Sequence, residues 1–190
     1  MPRRDIPLIA GNYYHLYNRG HNRMHIFFDE ENYLFFLRRL RRYLVPEHAR
    51  LIAYVLMPNH YHLLVQAITD DLSHAMQLFS ISYTKAINKR FGRTGALFQG
   101  AFKAKMVDRD EYLLHLSRYL HLNPVRAGLV QCPEDWAYSS YREYIGLRKG
   151  TLPQPGIILE QVGGPATYRA FVEAYAAADR QIIASLLFEE

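Results

Sequence analysis

His60 and His62 are separated by one residue within His60 to Gln66, a segment whose apolar residues alternate. On a strand that spacing turns both imidazoles to one side of the sheet, about 6.6 Å apart along the chain, so the two can converge on one ion. The same spacing also suits two polar residues on a part-exposed strand face. Tyr61, Leu63 and Val65 fall on the opposite side and are apolar, which gives the strand a buried side and a histidine-bearing side. Two imidazoles do not complete a metal site, and a divalent ion working on phosphate takes oxygen ligands as well. Further along, Tyr112, His115, Tyr119 and Asn123 recur at intervals of three, four and four, forming one helical stripe beside the apolar stripe Leu113, Leu116 and Leu120. A tyrosine and a carboxamide therefore share a face. A tyrosine at a core margin and an asparagine closing a helix before Pro124 would give the same pattern.

The chemistry open to these four residues is coherent. A tyrosine phenol has a pKa of about 10 and is a poor nucleophile at neutral pH. A metal that polarises a phosphate and stabilises the charge of the transition state makes it an effective one. Attack on phosphorus would expel a sugar hydroxyl, leave the nucleic acid attached to the protein, and retain the phosphoester bond energy for rejoining. In this arrangement His60, His62 and Asn123 hold the metal, and Tyr119 is the nucleophile one turn before Asn123.

The elements that must position these residues follow from periodicity. Asn12 to Asn18 alternates and reads as a strand ending at Asn18-Arg19-Gly20. Asp29 to Leu44 carries Tyr33, Leu34, Phe36, Leu37, Leu40 and Leu44 at helical spacing with Arg38, Arg39, Arg41 and Arg42 interleaved, an amphipathic helix with a basic outer face that stops before Pro46. Leu51 to Leu56 and His60 to Gln66 are neighbouring strands joined by the turn Met57-Pro58-Asn59. Asp70 to Ser73 opens a second helix running to about Phe91, and Leu97 to Val107 reads as a strand with Lys103 and Lys105 on one side. Asp108 and Glu111 resemble a capping box for a helix over Tyr112 to Leu122, which Asn123-Pro124 should end. This order predicts an α+β, ferredoxin-like fold: a four-stranded antiparallel sheet with helices on one face. Residues 1–144 form that core. Residues 145–190, richer in Gly and Pro, read as a C-terminal extension with a final helix from Ala166.

Composition sets the outer bounds. The chain has 190 residues, and a hydrophobic content of 49% supports a real core, which excludes disorder as the default state. Lys and Arg outnumber Asp and Glu by 23 to 18, a mildly cationic balance compatible with a polyanionic partner. The single cysteine, Cys132, excludes an intramolecular disulfide framework and an all-cysteine zinc cage within one chain. With no apolar signal core at the start and no run long enough to span a membrane, a cytoplasmic, membrane-free protein is expected. Fifteen tyrosines against one tryptophan supply stacking surfaces for unpaired bases as well as ordinary packing.

Three blocks, Tyr14-His15-Leu16-Tyr17-Asn18-Arg19-Gly20, Leu56-Met57-Pro58-Asn59-His60-Tyr61-His62-Leu63-Leu64-Val65 and Arg118-Tyr119-Leu120-His121-Leu122-Asn123-Pro124-Val125-Arg126-Ala127-Gly128-Leu129-Val130, closely resemble the single-tyrosine HUH transposases. Within them the nearest group is the REP-associated tyrosine transposases, which Trp136-Ala137-Tyr138-Ser139-Ser140-Tyr141 also resembles, so the likeness covers about residues 12 to 145. The resemblance implies a ferredoxin-like core, Mg²⁺ or Mn²⁺ at the two histidines, single-stranded or hairpin DNA as substrate, and a 5′-phosphotyrosine intermediate with release of a free 3′-hydroxyl. It also implies a metal-completing amide four residues after the nucleophile, which falls on Asn123 where related enzymes often have glutamine. Ala101 stands where similar sequences frequently carry arginine, so one phosphate contact is expected to be absent. Related enzymes act as monomers or homodimers.

Phosphate binding needs accessible cations, and the candidates singled out are Lys89, Arg90 and Arg93 at a helix end, with Lys103 and Lys105 on a strand. His15, His21, His25, His115 and His121 are extra imidazoles with surface or supporting roles. His115, one turn before Tyr119, could hydrogen-bond the nucleophile or the phosphate. A non-cleaving DNA-binding regulator that retains the fold, and a metal-dependent phosphodiesterase that uses water, are the competing readings.

Overall fold

A computed structural model describes residues 7–175. The expected extension continues to residue 190, and its part from 176 onward lies outside the described residues. Four strands, β1 (Tyr13–Arg19), β2 (Ala49–Met57), β3 (His60–Ala67) and β4 (Lys103–Val107), make one sheet in the order β2-β3-β1-β4 with every neighbouring pair antiparallel. Helix α1 (Glu30–Tyr43) connects β1 to β2, and α2 (Leu72–Arg90) connects β3 to β4. With both crossover helices on one face this is the ferredoxin-like α+β arrangement read from the sequence, except that a further helix covers the other face instead of joining them.

The alternation of the strands divides the core in two. Tyr14, Leu16, Tyr61, Leu63, Val65, Tyr54 and Leu56 face α1 and α2 and pack with Phe36, Leu40, Phe79 and Tyr83. Asp29 caps α1 by accepting a 2.9 Å hydrogen bond from the Asn32 amide, while Arg38, Arg41 and Arg42 lie exposed on its far side. That exposed row is the basic outer face expected. The opposite sheet face is covered by α3 (Asp110–Arg126), whose Leu113, Leu116, Tyr119 and Leu120 pack with Val55, Leu64 and Val107. Helix α4 (Tyr141–Tyr144) and two helices of the predicted extension, α5 (Gly156–Val162) and α6 (Pro165–Glu173), join this second cluster through Tyr141, Tyr144, Ile158, Tyr168 and Val172.

Three boundaries differ from expectation. Pro124 lies inside α3, which runs on to Arg126. A proline this close to a helix end forfeits one backbone bond, and the last turn still closes through Ala127 N to the Asn123 carbonyl and Leu129 N to the Pro124 carbonyl, both 2.9 Å. The start of α3 lacks the capping box: Arg109 is the N-cap residue, and it makes no side-chain capping bond. The strand expected from Leu97 begins only at Lys103. Gly100 has φ 97°, in the left-handed region, which breaks the extended backbone and leaves Gly20 and Phe98 as an isolated bridge.

Candidate active site

The pairing of β1 with β3 puts Tyr17 opposite His62 and Arg19 opposite His60. In a sheet, opposed residues project to the same face, so His60, His62, Tyr17, His15 and Arg19 share one side, the side that α3 covers. The two histidine rings stand nearly perpendicular, 84° apart in plane, with centroids separated by 5.1 Å. His62 is fully buried, and His60 is partly so.

Helix α3 brings the tyrosine to them. Leu113, Leu116 and Leu120 anchor the helix, and the ring of Tyr119 lies edge-on to His62 at 6.1 Å between centroids and 79° between planes. Asn123 follows one turn later, buried at 3% exposure, and its amide nitrogen makes no hydrogen bond among the described residues. Arg126, at the end of the same helix, has its guanidinium carbon 5.4 Å from the centre of the Tyr119 ring.

Electrostatics favour neutral imidazoles. Burial pushes the pKa of His60 down to about 4, with the nearby Arg19 charge adding to the effect. Burial also drives His62 well below the ordinary histidine range, followed by the influence of His60 and His15. Both rings therefore keep a nitrogen lone pair at neutral pH. Each ring is held at Nδ1: that of His60 lies 2.6 Å from Asn59 Oδ1, and that of His62 lies 2.9 Å from His15 Nε2.

The remaining residues singled out for binding or support are spread over different parts of the molecule. Lys103 and Lys105 pair with Tyr17 and His15 across β1 and β4, so they extend the histidine-bearing face toward the sheet edge. Lys89, Arg90 and Arg93 lie at and just beyond the end of α2, the helix that packs on the other face. Arg90 forms ion pairs there with Asp29 at 2.9 Å and Glu31 at 3.0 Å, and Arg93 lies over the Phe28 ring. His115 turns toward the extension: its Nδ1 is 2.8 Å from Arg118, and its ring meets Phe171 edge-on at 5.5 Å.

Sequence reasoning missed Arg19 as a cation beside His60, and Asn59 as that histidine's anchor. The alternation of His15, Tyr17 and Arg19 on β1 carries this signal, but only the β1–β3 register reveals which histidine each one meets. A further constellation lies on the helix that bears Tyr119. His121 is fully buried between the Tyr168 hydroxyl at Nδ1 and the Ser140 hydroxyl at Nε2, 2.8 Å each, and burial lowers its pKa to about 3. Tyr168 also contacts Ser117 Oγ at 2.9 Å, and Ser117 donates to the Leu114 carbonyl at 2.8 Å.

A family model described as transposase IS200 like matches residues 9–123, more than half of the chain and all four residues of the candidate site. The chain belongs to this family. A curated REP-associated tyrosine transposase from Haemophilus influenzae is 27% identical to this chain over 101 residues, 47% of it. That alignment covers 57% of the relative, so the match spans little more than half of its length. A solved REP-associated tyrosine transposase bound to a REP hairpin superposes with a TM-score of 0.63 at 16% identity, covering 81% of this chain and 98% of that one. At this identity the match establishes a common fold. Together with the curated relative it bears out the resemblance to the REP-associated group. Among the described residues no helix is long and apolar enough to cross a membrane.

Proposed function

We propose that this transposase cleaves and rejoins single-stranded or hairpin DNA by attack of Tyr119 on a backbone phosphodiester. The phenolic oxygen forms a bond to phosphorus as the bond from phosphorus to the 3′-oxygen breaks. The phenol's proton is lost, the departing oxygen gains one to become a free 3′-hydroxyl, and the 5′-phosphate remains on the tyrosine. Rejoining is the same exchange in reverse, with a 3′-hydroxyl as the attacking group. The observation that carries the proposal is the edge-on approach of Tyr119 to His62, made by a helix whose next turn bears Asn123. The hairpin-bound relative of the same fold supports hairpin DNA as the partner.

The donor set suits a divalent ion. Two neutral imidazoles with anchored Nδ1 atoms can offer Nε2, and the buried Asn123, one turn after Tyr119, can offer its amide oxygen. His60, His62 and Asn123 would hold Mg²⁺ or Mn²⁺, and DNA and water oxygens complete a set that the protein fills only in part. Such an ion, when bound, polarises the scissile phosphate and offsets charge as it develops. The chain's own share is to orient Tyr119 against the phosphate and to neutralise the strand with Arg19, Lys103 and Lys105.

The decisive experiment incubates the full-length protein with Mn²⁺ and labelled hairpin-bearing single-stranded DNA, followed by denaturing electrophoresis. A denaturation-resistant adduct that disappears in Tyr119→Phe is the expected result. Cleavage that survives Tyr119→Phe would instead indicate attack by water, and binding without cleavage across many hairpins would indicate a regulator.

A further inference from the structure

Tyr17, not His15, is the β1 residue directly opposite His62; His15 faces Leu64. His15 nevertheless reaches diagonally across the strand pair, places Nε2 2.9 Å from His62 Nδ1, and stacks on that ring at 5.1 Å between centroids. It is fully buried. We infer that His15 is a positioning residue for the metal site: it accepts the Nδ1 proton of His62 and so fixes the tautomer whose Nε2 lone pair can bind a divalent cation. The inference rests on the proposed metal role of His62.

Counting protons decides which ring donates. A neutral imidazole carries one N–H, and one, not both, of two hydrogen-bonded ring nitrogens supplies the shared proton. If His15 donated, the proton of His62 would sit on Nε2, and the ring would have no lone pair to offer an ion. If His62 donates from Nδ1, its Nε2 is a ligand and the proton of His15 sits on its own Nδ1. The neighbouring histidine shows the same design without ambiguity. Asn59 donates through Nδ2 to the Arg23 carbonyl at 3.2 Å, which turns its Oδ1 toward His60 Nδ1. An amide oxygen can only accept, so His60 carries its proton on Nδ1 and its lone pair on Nε2. His15 does for His62 what Asn59 does for His60, and both rings then present the same nitrogen. Fixing tautomer and ring angle in this way is worth about 10- to 100-fold in metal affinity at protein sites of this kind.

The test is Mn²⁺ binding to the full-length protein, read by electron paramagnetic resonance of the free ion, together with long-range ¹⁵N–¹H spectra of the imidazoles in the metal-free protein. His15→Phe keeps an aromatic ring in the stack but removes the acceptor, and should bind Mn²⁺ about 10- to 100-fold more weakly. His15→Gln restores an acceptor and should recover most of the affinity. In the wild type, the His62 proton is expected on Nδ1. Folded His15→Phe with wild-type affinity would overturn the inference. A wild-type His62 protonated on Nε2 would do so as well, even if the variant does not fold. Failure of the wild type to bind Mn²⁺ at all would remove the metal reading instead, and the tautomer spectrum would still decide whether His15 is the acceptor.

Discussion

Tyr168→Phe removes one oxygen from the buried polar chain that ties α6 to α3. His121 Nε2 meets the Ser140 hydroxyl and its Nδ1 meets the Tyr168 hydroxyl, Tyr168 meets Ser117 Oγ, and Ser117 donates to the Leu114 carbonyl, while the Tyr54 carbonyl, 3.3 Å from Ser140 Oγ, competes for that hydroxyl's proton. Burial raises the pKa of Tyr168, so its phenol remains a donor across the working range. In the variant Ser117 keeps its bond to Leu114, whereas His121 Nδ1 loses its partner inside the core. A buried donor or acceptor left unsatisfied costs about 1–3 kcal/mol, so the expected loss is about 2 kcal/mol. For a chain of this length that corresponds to a fall in Tm of roughly 4–8 °C, or about 1 M in the urea midpoint at an m-value of about 2 kcal/mol/M. Combining Tyr168→Phe with His121→Leu should show strong non-additivity, because the second substitution removes the stranded ring nitrogen. An unchanged urea midpoint, or two fully additive effects, would refute the assignment of these bonds.

Other consequences can be checked separately. Asn123→Ala should weaken Mn²⁺ binding while leaving the urea midpoint close to that of the wild type; equal affinity would remove Asn123 from the metal set. Gly20→Ala should destabilise by about 1–3 kcal/mol, because a Cβ there would run into the Met24 backbone carbonyl, and a thermal melt superimposable on the wild type would contradict it. The pKa of His121 in the fold, about 3, lies below its ordinary value, so between these values the unfolded chain binds a proton that the folded one refuses. The contribution of His121 to stability is therefore complete above about pH 6.5 and should fall by about 1.4 kcal/mol per pH unit below it. Urea titrations of metal-free wild type and His121→Leu at pH 7, 6 and 5 isolate this slope by difference, because the buried His60 and His62 add slopes of the same sign, and equal slopes in the two proteins would count against the buried neutral histidine.

The strands and crossover helices were legible because each has one buried side: Tyr61, Leu63 and Val65 alternate, and Tyr33, Phe36 and Leu40 recur at helical spacing. The pairing of Tyr119 with the histidines was legible for the same reason, since both segments carry a polar row beside an apolar one. Boundaries failed where local chemistry was ambiguous. Pro124 reads as a stop in any sequence, yet it sits late enough in α3 to cost a single bond. The supporting residues were hidden by distance along the chain. His15 lies 47 residues from His62, and Tyr168 lies 47 from His121, and no local pattern encodes either contact. His115 was singled out for its helical spacing from Tyr119, but Arg118 and Phe171 hold it on the side facing the extension.

The hydrogen-bond chain through His121 also bears on how Tyr119 is aimed. Leucines alone would let α3 settle in more than one orientation, because one aliphatic contact is much like another. A one-residue slip turns a helix by about 100°, enough to swing Tyr119 off His62 and bring Arg118 or Leu120 into its place. Oriented bonds to Ser140 and Tyr168 have no equivalent after such a slip, so they index the helix as a keyway indexes a shaft. Because one wall of that keyway is α6, a chain whose extension has not folded has no fixed aim for its tyrosine. Under the proposed function, the aim of Tyr119 at DNA would thus depend on α6 being docked against α3.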